Sequence, residues 1–284
     1  MRHYLVAESE TQEERDERRE HAGKSSGETY AATLKQIDPD CEIEIIAPAD
    51  ADQAPLEPGA IARFDAVFLT GSPLHVYNDT PEVRRQLSFM RAVFASGTPS
   101  FGSCAGLQVA VAVAGGSVRK MPQRMEAGVA RRITATDAGK HHPMLAGRPA
   151  VWDAPAVHGD EVAELPGGAI HLAGNDVTDI QAVEIRHDRG IFWGVQYHPE
   201  LALGEVAAAL RRQASSLVDS GLARDEDAVA RQADLFDALH RDPEDRRIRW
   251  ELGVDSETAD EPHRRRELLN FISALPSIDG RVRS

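Results

Sequence analysis

Between Thr98 and Gly116 the chain runs a short apolar strand straight into a helix with no charged face, and few folds can hold such a unit. Thr98 to Gly102 has strand composition, Ser103-Cys104-Ala105 is a run of small residues suited to a turn, and Leu107 to Ala114 reads as an apolar helix closed by Gly115-Gly116. A helix that is apolar on all sides belongs in the interior, packed on a sheet.

The sequence before this unit has the same alternation. His3 to Ala7 reads as a strand. Tyr30, Leu34 and Ile37 give a helical spacing stopped by Asp38-Pro39, and Ile43 to Ala47 is a second strand. Ala49 to Gly59 is a loop. Phe64 to Thr70 (FDAVFLT) is apolar on both faces, as in a parallel sheet, and ends in Gly71-Ser72-Pro73. Thr80-Pro81 opens a helix through about Ala95, capped by Gly97. This pattern predicts an α/β fold with an open, mostly parallel sheet flanked by helices, whose ligands gather at the carboxyl ends of the strands. The charge-dense stretch Glu8 to Glu20 reads as a solvated helix or loop, too polar to be buried. Further on, Val129 to Thr136, Ala169 to Ala173, Gln181 to Arg186 and Ile191 to Tyr197 read as short, more antiparallel strands added to the sheet, with Leu203 to Leu217 a closing helix.

After about residue 218 the composition shifts to Arg, Asp and Glu, with Val229, Leu235, Leu239, Trp250 and Leu252 thinly spread. The expected organisation is a domain over 1–217 and a charged helical extension over 218–284. The extension packs on its own chain through one apolar stripe or docks a partner. With 32 Lys and Arg against 46 Asp and Glu, the net charge of -14 repels nucleic acid and anionic lipid. No window approaches the roughly 18 consecutive apolar residues of a membrane span, and the start lacks a secretory pattern, so a cytoplasmic protein is expected. The two cysteines, Cys41 and Cys104, do not form a disulfide framework.

Cys104 stands between Gly102 and Gly106 at a strand-to-helix turn. Such an elbow holds a side chain clear of the sheet, and the helix N-terminus with its unpaired N–H groups favours a thiolate. The same pattern also suits a small core thiol. A base is available in IFWGVQYHPE, where an apolar strand ends in His198 with Glu200 two residues on, so that extended chain points both side chains the same way. Thiol, imidazole and carboxylate together make the nucleophile, base and orienter of acyl-transfer enzymes.

GSCAGLQ, TGSP and GVQYHPE, in this order, resemble the motifs of class I, triad-type glutamine amidotransferases, with the glutaminase part of GMP synthases and its stand-alone relatives the nearest flavour. Glu126 with Gly128, the His158-Gly159-Asp160 turn and Ile180-Gln181-Ala182 add to the resemblance. It implies a flavodoxin-like layering. It implies Cys104 as nucleophile, His198 as general base and acid, Glu200 as the group orienting the imidazole, and the N–H groups of Gly71 and Ala105 as an oxyanion hole. Gln108, Ser72, His158 and Asp160 would seat the substrate, although a loop His and Asp satisfying turn amides is an equal reading for the last two. Two departures stand out: Ala105 where a larger residue is frequent, and Ser72 in place of a second Gly.

The resemblance implies hydrolysis of the glutamine side-chain amide through a γ-glutamyl thioester, without a cofactor, and ammonia passed to a separate synthetase or acceptor protein. The alternative with the same triad is a γ-glutamyl peptidase or amide hydrolase that releases its product. Metal-assisted hydrolysis by His158, Asp160, His198 and Glu200 leaves the Cys104 elbow unexplained, and a non-catalytic binding module leaves all three triad residues unexplained. Gly23-Lys24-Ser25 ends like a phosphate-binding loop, but position 18 is Arg where that loop needs its first Gly. The sequence leaves the oligomeric state open.

Overall fold

A computed structural model describes residues 1–122 and 125–279. The first half alternates as the pattern predicts: β1 (His3–Ala7), α1 (Gln12–Ala22), α2 (Ser26–Ile37), β2 (Glu42–Ile46), α3 (Pro58–Ile61), β3 (Ala66–Leu69), α4 (Pro81–Ser96), β4 (Ser100–Ser103) and α5 (Ala105–Ala114). Seven strands follow, β5 (Ser117–Lys120), β6 (Glu126–Ala135), β7 (Val151–His158), β8 (Asp160–Glu164), β9 (Ile170–Gly174), β10 (Ala182–His187) and β11 (Gly190–Val195). The chain ends in helices α6 (Leu203–Arg212), α7 (Ala214–Asp219), α8 (Glu226–Arg241), α9 (Arg246–Leu252), α10 (Ser256–Ala259), α11 (Glu261–Arg264) and α12 (Arg266–Ile278).

The main sheet has the order β2-β1-β3-β4-β11-β10-β9-β6-β7 among the described residues. It is parallel from β2 through β11 and antiparallel from β11 to β7. Alternate residues of each parallel strand face opposite layers. Tyr4, Val6, Phe68 and Phe101 pack with α2 and α12, while Leu5, Ala7, Val67 and Leu69 pack with α3, α4 and α5. Because β3, β4 and β11 are neighbours running the same way, Gly71, Cys104 and His198 leave the sheet side by side at its carboxyl edge.

Three expectations need correction. The stretch after β1 is not merely solvated: Glu8, Glu10 and Arg15 are 4%, 1% and 4% exposed. Their charges are compensated locally, since Glu8 Oε1 accepts the Gly27 N–H at 2.7 Å and Glu10 Oε2 the Ser26 N–H at 3.1 Å, at the N-terminus of α2. Arg15 bridges Glu8 at 3.5 Å and Asp50 at 2.5 Å. Residues 151–164 hold the strands β7 and β8, where the HGD segment reads from sequence as a turn in a loop; Pro155 is tolerated because β7 is the last strand of its sheet. The closing helix breaks at Gln213 into α6 and α7.

From residue 218 to residue 279 the chain forms helices joined by short turns. One group of its apolar residues, Val229, Ala233, Phe236 and Leu239 of α8, packs on Val206 and Leu210 of α6. Phe271 of α12 enters the central core, with ring centroids 5.5 Å from Phe68 and Phe101 and 5.6 Å from Trp193. A buried ion pair fixes this helix: Arg148 meets Glu257 and Glu267 at 2.7 Å each. Trp250 is 81% exposed instead of lying in the stripe. Among the described residues no helix is long and apolar enough to cross a membrane.

Candidate active site

Cys104 occupies the turn between β4 and α5 with φ 52° and ψ −110°, a left-handed conformation that a side-chain-bearing residue adopts only under constraint. The constraint is visible on three sides. The Cys104 N–H donates to Val195 O at 2.8 Å, tying the elbow to β11. A Cβ at Gly106 would lie 2.5 Å from Leu69 O, and one at Gly102 would lie 2.8 Å from the Gly106 carbonyl carbon, so both flanks must be glycine for strand and helix to meet. A Cβ at Gly71 would lie 2.8 Å from His198 Cε1 and 3.5 Å from Cys104 Cβ. Gly71 therefore stands against both the thiol and the imidazole.

His198 Nδ1 pairs with Glu200 Oε1 at 2.7 Å, and its ring lies with Cys104 against Gly71. Burial pulls the imidazole pKa down, but the Glu200 carboxylate and the Cys104 contact outweigh it and raise it to about 10. His198 is consequently an imidazolium at neutral pH. Glu200 is itself held from behind: its Oε2 accepts from Ser103 Oγ at 2.9 Å, and that hydroxyl is hydrogen-bonded to Tyr30 OH. Ser103 has one proton and gives it to Glu200, so Tyr30 is the donor to Ser103. Burial first, then the Glu200 charge, keep the Tyr30 phenol protonated by pushing its pKa well above 10. Neither Ser103 nor Tyr30 stands out in the sequence; a hydroxyl beside Cys104 was the only hint.

Gly71, Cys104, His198 and Glu200 line a cavity of about 120 Å³, which also takes in Ser72, Gln108, His158 and Asp160. Ala105 follows directly as the first residue of α5, where its N–H has no intrahelical acceptor. Gln108 Nε2 donates to Asp160 O at 3.3 Å and Gln196 Oε1 at 3.2 Å. His158 has both ring nitrogens engaged, at 2.9 Å from Asp160 O and 3.0 Å from Glu126 Oε2. Burial raises the Glu126 pKa, but the bonds from His158, Asn175 and Gln181 outweigh it and the net shift is downward. The Asp160 carboxylate contacts His75 Nδ1 at 2.5 Å and accepts from Tyr77 OH at 3.0 Å, two residues that sequence alone did not single out. Burial and Asp160 push the Tyr77 phenol up to about 12. Ser72 Oγ accepts the Leu74 N–H at 3.1 Å and shapes its own turn. Among the described residues no three His, Cys, Asp or Glu side chains gather so as to hold a metal ion, His158 being committed on both sides.

The family model described as Glutamine amidotransferase class-I matches residues 22–214. This chain belongs to that family. One relative, a gamma-glutamyl-L-1-hydroxyisopropylamide hydrolase from a Pseudomonas species, is 37% identical over 279 residues, covering 95% of this chain and 92% of its own length. GMP synthase [glutamine-hydrolyzing] of Thermobifida fusca is 31% identical over 187 residues, covering 65% of this amidotransferase chain and 32% of the synthase. Among solved structures, a glutamine amidotransferase of Thermotoga maritima superposes with a TM-score of 0.62 at 14% identity, covering 96% of this chain and 97% of that one. One from Methylobacillus flagellatus gives 0.60 at 20% identity, over 95% and 94%. These neighbours share the large α/β sheet flanked by helices.

Proposed function

We propose that this class I amidotransferase chain hydrolyses the γ-amide bond of a γ-glutamyl amine, with Cys104, His198 and Glu200 as its catalytic groups. The observation that carries the proposal is the line Cys104, His198, Glu200 beside Gly71, with 2.7 Å between imidazole and carboxylate and an imidazolium at neutral pH. His198 beside the sulfur favours the thiolate by charge. The thiolate attacks the γ-carbonyl carbon, and the C=O pair moves onto oxygen, which the N–H groups of Gly71 and Ala105 receive. As the oxyanion collapses the C–N bond breaks and His198 gives its Nε2 proton to the departing nitrogen. The amine leaves; a γ-glutamyl thioester remains on Cys104. The neutral His198 then takes a proton from water, whose oxygen attacks the thioester, and glutamate and the thiolate are released. Glu200 holds the Nδ1–H throughout. Gln108, Ser72, His158 and Asp160 would seat the glutamyl group.

The choice of a γ-glutamyl amine over glutamine rests on the relative matched over nearly its whole length, which includes the helices after residue 218. In this reading 1–217 is the catalytic domain, and the 218–284 segment covers it through Phe271 and the Arg148 ion pairs. A second reading, glutaminase activity supplying ammonia to a separate acceptor, draws on the similarity to GMP synthases, of which this chain spans about a third. The two separate in one assay. Glutamate release is measured from glutamine and from a panel of γ-glutamyl alkylamides and peptides, with Cys104→Ala beside the parent protein. Preference for the substituted amides supports the hydrolase; preference for glutamine supports the glutaminase; turnover surviving in Cys104→Ala overturns both.

A further inference from the structure

The cavity has two walls of different chemistry. Gln108, His158 and Asp160 line it from α5, β7 and β8, while Arg18 and Arg212 line it from α1 and α6, with Glu10 and Gln213 from the residues flanking those helices. The direction of the reaction assigns these walls. If His198 protonates the departing nitrogen, as in the function proposed above, the amine half of the substrate lies on the His198 side. The chain continues from His198 through Leu201 into α6, which packs on α1, so the amine half is directed toward the part of the cavity that Arg212 and Arg18 line.

Neither guanidinium donates a hydrogen bond to a described residue there, in a chain whose net charge is -14. The Arg212 side chain makes no hydrogen bond or ion pair with any described residue. Arg18 reaches Glu10 and Glu205 only at 3.8 Å each, and its Nε is buried without an acceptor. Each of those carboxylates also serves another donor: Glu10 turns Oε1 to Arg18 while its Oε2 accepts from Ser26 N at 3.1 Å, and Glu205 accepts from Ala202 N at 2.9 Å and from Thr29 Oγ1. A buried guanidinium nitrogen without an acceptor is costly, and a planar fork beside a reacting centre suits a carboxylate.

We infer that Arg18 and Arg212 form a subsite for an anionic group on the leaving amine, so that this chain's substrate is a γ-glutamyl amino acid, not a γ-glutamyl amine with a neutral substituent. The carboxylate lands between the two guanidinium groups while the scissile nitrogen meets His198. The inference rests on the hydrolase reading but makes its own demand on specificity.

The test compares γ-glutamyl derivatives of ω-amino acids with one to three methylene groups between nitrogen and carboxylate against alkylamides of matched length. For each pair the ratio of kcat/KM, acid over alkylamide, is measured for the parent protein, Arg212→Gln and Arg18→Gln. The expected result is a ratio of at least about ten for one spacer length, collapsing about tenfold or more in Arg212→Gln and falling in Arg18→Gln, as for the loss of a charged hydrogen bond. High salt lowers the parent's ratio. A parent ratio near one, or a ratio unchanged by both substitutions, overturns the inference while leaving the hydrolase reading intact. An equal loss on acid, alkylamide and glutamine also overturns it, because the guanidinium groups would then hold the α-carboxylate common to all. Absence of turnover with every γ-glutamyl compound would instead refute the hydrolase reading.

Discussion

Replacing Glu200 with glutamine keeps the side chain's shape and, with the amide oxygen turned to His198 Nδ1, the acceptor there; it removes the charge and puts an NH2 where an oxygen accepted from Ser103 Oγ. In the native site burial opposes the imidazolium, yet Glu200 and Cys104 carry its pKa from 6.5 to about 10. That difference corresponds to roughly 5 kcal/mol in favour of the protonated ring. Without the carboxylate charge only the Cys104 contribution still opposes burial, and where those two balance the ring titrates at about 6.5. At pH 8 a group with a pKa of 10 is about 99% protonated and one at 6.5 about 3%. Loss of the proton donor alone thus lowers kcat about thirtyfold at that pH. The assay is a pH profile of kcat on a γ-glutamyl amide for Glu200→Gln and the parent protein. The parent's activity should fall only as pH rises through about 10, and the variant's alkaline limb should lie three or more pH units lower. An alkaline limb at the same pH in both proteins would refute the assignment of Glu200 as the source of the shift. Stability follows the same sign: a pKa raised by folding stabilises fully below 6.5, and that contribution fades as pH rises toward 10.

Three further outcomes follow from the packing. Gly106→Ala places a Cβ 2.5 Å from the Leu69 carbonyl oxygen, so the strand and helix must separate, at a cost of about 1–3 kcal/mol in denaturant unfolding; an unchanged midpoint would mean the elbow is looser than described. Glu267→Ala leaves Arg148, 1% exposed in its side chain, with one of its two carboxylates, and should cost about 3–5 kcal/mol, readable as a lower urea midpoint. Tyr30→Phe removes the donor behind Ser103 and should lower kcat two- to tenfold with little change in KM, as expected from about 0.5–1.5 kcal/mol per hydrogen bond. A change in KM alone would point to a different role for that phenol.

The middle of the parallel half was legible because β3 and β4 are buried on both faces: FDAVFLT and the TPSFG run into Cys104 leave no polar alternation to mislead. Cys104, His198 and Glu200 were legible for a related reason, each lying at or just beyond a strand end that the pattern locates. What escaped depends on distant partners. The burial of Glu8, Glu10 and Arg15 needs the N-terminus of α2 and Asp50, which no local composition reveals. β7 carries Asp153 and Pro155 and looks like a loop until β6 is laid beside it. Tyr30 reaches Ser103 across 73 residues of chain, and Arg18 meets the cavity of Arg212 only once α1 and α6 are folded together.

The central claim is that Cys104 forms a covalent γ-glutamyl intermediate. It is tested most directly by acid-quenching the protein during turnover of a γ-glutamyl amide and measuring the mass of the peptide carrying Cys104. A γ-glutamyl adduct on Cys104 that disappears as substrate is exhausted is expected, with neither adduct nor turnover in Cys104→Ala. Sustained turnover in Cys104→Ala, with no adduct in the parent protein, would contradict it.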